Sequence, residues 1–154
     1  RKEIIEVLQA DGGWKKTSLY KLKLLDSCMK ESQRLHPSVM LLCSRTMQET
    51  VTLADGTRLP KGANVAVPAT CMQSKAVFGD DADNFDGYRF LRLREMAGQE
   101  NRWQYVTTSA EMFGFGHGMS PTSSCMHACP GRFFASNELK IAIAHLLLMF
   151  DWKF

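Results

Sequence analysis

The strongest chemical signal in this sequence is a cysteine and its surroundings. Cys129 stands in His127-Ala128-Cys129-Pro130-Gly131-Arg132-Phe133-Phe134-Ala135, just ahead of a run with helical character. At a helix N-terminus the unpaired N–H groups and the helix dipole stabilise a thiolate and lower its pKa. A thiolate held in that way can ligate iron. The plain structural alternative is a small buried cysteine in a glycine-rich turn. Upstream, Phe113-Gly114-Phe115-Gly116-His117-Gly118 alternates rings with glycines. The glycines allow close backbone approach to something flat, and the rings would pack on it. His117, Cys125, His127 and Cys129 also offer zinc-ligand chemistry within a short stretch. Residues two apart in extended chain point oppositely, and no Cys-x-x-Cys knuckle is present, so a zinc-binding module is kept only as an alternative.

A second group carries charge. Glu31 and Arg34 lie three apart in a helical stretch and share a face. Read alone, they form an exposed helical ion pair worth about 0.3–0.5 kcal/mol. Arg89 changes the balance, because Phe85-Asp86-Gly87-Tyr88-Arg89-Phe90 frames it with aromatic rings. That setting predicts a partly buried guanidinium fork seeking a carboxylate.

The elements that must position these groups follow from periodicity. Residues 1–10 predict a helix with Ile4, Ile5, Val7 and Leu8 near one face, stopped by Gly12-Gly13. Leu19, Leu22, Leu25, Met29 and Leu35 predict one helix over 19–35, with Thr17 or Ser18 as its cap. It ends at His36-Pro37, since the residue before proline is pushed out of the α region. Residues 49–53 and 57–59 around Asp55-Gly56 predict a hairpin, and 63–67 a short strand. Residues 77–104 and 111–130 read as irregular chain. Residues 131–150 predict a helix with Phe134, Leu139, Ala142, Leu146 and Met149 as an apolar stripe. The fold class is mainly α with small β hairpins, in one domain over 1–154.

Composition excludes several classes. The chain has 154 residues, 45% hydrophobic and 23% charged, so it can bury a core and is not a disordered or low-complexity polymer. A net charge of +3 without a Lys/Arg block gives no argument for nucleic acid. No apolar run reaches the ~18 residues of a membrane span; the nearest, 141–150, is broken by His145. Five cysteines, an odd number, argue against a disulfide scaffold and for an intracellular setting.

Taken in order, Glu31-x-x-Arg34-Leu35-His36-Pro37, the segment 85–90 and Cys129-Pro130-Gly131 resemble the C-terminal part of a cytochrome P-450, a haem-thiolate monooxygenase. The run through Phe133-Phe134-Ala135 looks most like fungal members that oxidise terpenoids and other secondary metabolites. The resemblance implies haem (iron protoporphyrin IX) as cofactor and Cys129 as the axial thiolate ligand of its iron. It implies Phe115, Gly118 and Gly131 as haem contacts, and His127 and Arg45 as partners of the propionates. Ser44 or Thr46 would line the substrate pocket. Glu31, Arg34 and Arg89 match a structural triad that fixes the core and does no chemistry. The intact enzyme is expected to insert one oxygen atom from O2 into a small apolar substrate, with electrons from an NADPH-dependent reductase. Full-length members are usually anchored in the endoplasmic reticulum membrane. This stretch carries no such anchor and lacks the family's oxygen-activating helix and C-terminal strands, so alone it is expected to be inactive. The alternative is a non-catalytic, truncated or mis-spliced product. Two departures stand out: Gly87 takes the place of a usual proline, and residues 119–126 fill a place where the family has one residue. Removing seven of those eight restores the family pattern.

Overall fold

The computed structural model describes residues 1–118 and 128–153. Six helices run in order: α1 (Lys2–Asp11), α2 (Ser18–Lys21), α3 (Lys23–Leu35), α4 (Lys75–Phe78), α5 (Arg89–Glu95) and α6 (Arg132–Met149). Between α3 and α4 lie four short strands, β1 (Leu41–Thr46), β2 (Val51–Thr52), β3 (Arg58–Leu59) and β4 (Asn64–Pro68), followed by a 3-10 turn at Ala69–Gln73. The architecture is the expected helix-rich one with small antiparallel sheets.

Helix α1 ends where Gly12 takes a left-handed conformation (φ 68°), a geometry that a residue with a Cβ resists. Only Ile4 of its expected face is fully buried, and Ile5 is exposed. The single helix expected over 19–35 is two helices, broken at Leu22 (φ −75°, ψ 68°). Neither Thr17 nor Leu22 caps with its own side chain. The cap of α3 comes from α1: Glu3 accepts the N–H groups of Leu24 and Leu25 at 2.7 and 3.0 Å. A carboxylate there answers two of the unpaired donors of the helix start and complements its dipole. The break therefore locks the two helices together.

Strands β2 and β3 form the hairpin expected around Asp55-Gly56, though only two residues long on each side. Strand β4 pairs antiparallel with β1, which periodicity did not predict. The register slips between Leu42 and Arg45, with Cys43 at φ 54° in the irregularity. A bulge there destroys the alternation by which a strand is recognised. Helix α5 likewise emerges inside the stretch read as irregular, and Arg89 is its first residue.

Two buried clusters flank α3. One gathers Ile4, Leu19, Leu22, Leu25, Met29, Tyr105 and Ala144 from the helices. The other gathers Ala69, Met72, Phe78, Ala82, Phe90, Trp103, Met112 and Phe113. In α6 the apolar stripe of Phe134, Leu139, Ala142, Leu146 and Met149 is exposed, and the residues buried here are Ser136, Lys140 and Ala144. The helix is apolar around most of its circumference, so periodicity alone cannot choose the face.

Gly87 has a local explanation. A Cβ built on it would lie 2.8 Å from Cys28 Sγ, whose thiol donates to the Gly87 carbonyl at 3.7 Å. Gly87→Ala in the full-length protein is therefore expected to cost about 1–3 kcal/mol of stability. Cys28→Ala should remove most of that cost in a double-mutant cycle read by denaturant unfolding. Strictly additive effects would contradict the contact.

Candidate functional site

Glu31 and Arg34 are both fully buried, with side chains 0% exposed. An exposed helical pair is thereby excluded. Arg34 donates through Nε to Glu31 Oε2 and through Nη2 to Oε1, each at 2.8 Å. Oε1 also accepts Arg89 Nε at 3.0 Å and the Asp86 N–H at 3.1 Å. Arg89 in turn donates to the Phe78 carbonyl at 3.1 Å and to the Asp81 carboxylate at 3.2 Å. Burial opposes the Arg89 charge, but the hydrogen bonds from Asp81 and Glu31 outweigh it and hold its pKa above the usual arginine value. The Arg34 guanidinium also lies 5.1 Å from the centre of the Phe78 ring. The three side chains named from the sequence meet at one point.

A second buried charged group was missed. Asp26 is 5% exposed and pairs with Lys140 Nζ at 2.5 Å and Arg94 Nη1 at 3.1 Å. Its Oδ2 also accepts the Tyr105 N–H at 2.8 Å. Lys30, 1% exposed, donates to the carbonyls of Gln104 and Thr107, both at 2.8 Å. The sequence held a signal: Asp26 follows Leu22 by four residues and precedes Met29 by three, which places a charge inside the apolar stripe.

The Cys129 loop is built from both sides. The Cys129 N–H donates to the Phe115 carbonyl at 2.8 Å, and Arg132 Nη1 donates to the Cys129 carbonyl at 2.9 Å. Its thiol is exposed, two residues before Gly131, the N-cap of α6. A Cβ on Gly131 would stand 3.8 Å from Cys129 Sγ. Gly116 and Gly118 have φ of 81° and 114°, which only glycine adopts without strain. Phe115 packs edge-on against Tyr105 at 5.2 Å and borders a cleft of about 560 Å3. That cleft is lined by Leu25 and Met29 of α3 and by Leu139, Ile143 and Leu147 of α6.

Other expected site residues lie elsewhere. Arg45 is exposed on β1 and donates to the Ser44 carbonyl at 2.7 Å; no hydrogen bond among the described residues joins it to the Cys129 loop. Ser44 and Thr46 are also exposed there. His127, Cys125 and the segment 119–126 fall outside the described residues. Among the described residues there is no cluster of three or more metal-ligating side chains and no helix long and apolar enough to cross a membrane.

Comparison with known proteins gives a consistent result. A family profile described as Cytochrome P450 matches residues 1–154. The chain is 48% identical over 151 residues to cytochrome P450 monooxygenase esdpI of Penicillium shearii, covering 98% of this chain and 28% of that protein. It is 47% identical over 153 residues to cytochrome P450 monooxygenase hepE of Aspergillus oryzae, covering 99% and 26%. Among solved structures, retinoic acid bound cyanobacterial CYP120A1 superposes with a TM-score of 0.73 at 25% identity, over 99% of this chain and 31% of that one. The chain thus spans 26–28% of the length of these two fungal relatives.

Lys30 yields a pH prediction. Burial pulls its ammonium down to about 7; Asp26 opposes this and Arg94 adds to it. Above that pH the folded protein holds Lys30 neutral, while the unfolded chain keeps the proton up to the ordinary value of 10.5. Unfolding then takes up a proton, so this residue adds stability as pH rises, at up to ~1.4 kcal/mol per unit. Below about 7 both states are protonated and its contribution is flat. In denaturant unfolding of the full-length protein between pH 7 and 9.5, Lys30→Met is expected to lose this rising slope. An identical slope in both proteins would contradict it.

Proposed function

Since the chain belongs to the cytochrome P450 family, we propose that residues 1–154 form the haem-binding, thiolate-bearing part of a cytochrome P450 monooxygenase domain. One observation carries this reading: an exposed thiol, Cys129, whose backbone is tied on both sides at the start of a long helix. The surroundings fit a large, flat, apolar group held by sulfur. The ring of Phe115 borders an apolar cleft between α3 and α6. Haem, when bound, supplies the redox chemistry that passes one atom of O2 to an apolar substrate, using electrons from an NADPH-dependent reductase.

The residues of this chain would hold and tune that group. Cys129 is the thiolate ligand, stabilised by the N-terminal end of α6. Phe115, Gly118 and Gly131 would give the group close approach to the sulfur. By the resemblance, His127 and Arg45 would be the partners of the propionates. Glu31, Arg34 and Arg89 hold the framework and take no part in the reaction. Oxidation of a small apolar molecule in fungal secondary metabolism is the activity we assign to the whole protein, which extends well beyond these residues in its relatives.

The test is spectroscopic. In the full-length protein, Cys129→Ser should abolish the strongly red-shifted Soret band of the reduced, CO-bound haem. Cys71→Ser, at an exposed thiol on the 3-10 turn, should leave it unchanged. Retention of the band in Cys129→Ser would overturn the assignment.

A further inference from the structure

We propose that Asp26 is a positioning residue for the Cys129 thiolate, the common anchor of both arms of the loop that presents it; this rests on the reading of Cys129 as the iron ligand. The downstream arm runs from Cys129 into α6. There Lys140, about two turns along, meets Asp26 Oδ1 at 2.5 Å. The upstream arm runs through the Cys129 N–H to the Phe115 carbonyl at 2.8 Å. Phe115 packs on Tyr105 at 5.2 Å, and the Tyr105 N–H donates to Asp26 Oδ2 at 2.8 Å. One carboxylate thus holds the two segments that converge on the thiol, each through a different oxygen.

A cross-tie closes the circuit. Arg132 bridges the Val106 carbonyl at 3.0 Å and the Cys129 carbonyl at 2.9 Å. Val106 sits in the turn whose Gln104 and Thr107 carbonyls are held by Lys30. The anchor is unusually committed. Asp26 is the carboxylate partner of both Lys140 and Arg94 among the described residues, and both of its pairs are largely out of water. A carboxylate in that place ties α6 to the turn that begins at Gln104.

The experiment uses the haem-loaded, full-length protein with Lys140→Met, Asp26→Asn and the pair Asp26→Asn/Lys140→Met. Two quantities are read at neutral pH: the ratio of thiolate-type to thiol-type CO spectrum, and hydrogen exchange of the Cys129 amide. Lys140→Met leaves Asp26 with Arg94 and the Tyr105 N–H, so it should fold and bind haem. Its thiolate-to-thiol ratio is expected to fall roughly tenfold, with the Cys129 amide exchanging about tenfold faster. The pair should regain part of the thermal stability lost in Asp26→Asn, with Arg94 still lacking its carboxylate, while keeping the lowered ratio. Wild-type ratios and exchange in Lys140→Met and in the pair would overturn the proposal and leave Asp26 a packing residue. If Asp26→Asn does not fold, Lys140→Met decides by the same criterion. A wild-type protein without any thiolate-type spectrum would instead overturn the ligand assignment, and the proposal with it.

Discussion

A carboxylate taken wholly out of water must have its charge and its lone pairs answered by the protein, and Glu31 meets that demand from three separate segments. Arg34 supplies a bidentate fork from the same helix, Arg89 a third bond from α5, and Asp86 a backbone N–H from the turn before it. Charge-assisted bonds of this kind are short and directional, so they fix segments that few other contacts would hold. The chain between α4 and α5 has little regular structure, and its path is set largely by guanidinium bonds to the carbonyls of Phe78, Asp81 and Asn84. Removing Glu31 leaves Arg34 buried without a carboxylate and Arg89 with Asp81 alone.

Helix α3 carries this constraint through the molecule. Leu25 and Met29 face the helical cluster beside α6, while Lys30 and Arg34 lie over the rings of Phe90 and Phe78 in the other cluster. Its C-terminal carbonyls at Arg34 and Leu35 accept Gln73, which ties in the 3-10 turn. Its N-terminus is capped by Glu3. Asp26 faces α6 and the turn that packs on Phe115. Both ionic centres therefore sit on one rigid rod, one organising the framework and the other reaching toward the thiol.

Much of this was legible because it is local. The spacing of Glu31 and Arg34, the aromatic frame around Arg89, and Cys129 before an apolar helix are patterns a few residues long. The family followed from their order along the chain. What escaped depends on distant partners. Lys140 looks like a solvated charge within Asn-Glu-Leu-Lys, and nothing nearby shows that a carboxylate far away in sequence draws it inward. The face that α6 turns to α3 is hidden for the same reason: a helix apolar on nearly every side is oriented by its buried ion pair. Strand β1 was hidden by its bulge, and the break at Leu22 by a cap supplied from another helix.

The central claim is that the buried Glu31 carboxylate organises the fold on which the thiolate loop stands. Denaturant unfolding of the full-length protein carrying Glu31→Ala, together with its haem content after expression, tests this most directly. The account predicts a loss of roughly 3–5 kcal/mol, because Arg34 is left as an uncompensated buried charge and Arg89 keeps only Asp81, and little accumulation of haem-loaded protein. Unfolding within about 0.5 kcal/mol of wild type, as for a solvent-exposed pair, with normal haem content, would contradict it.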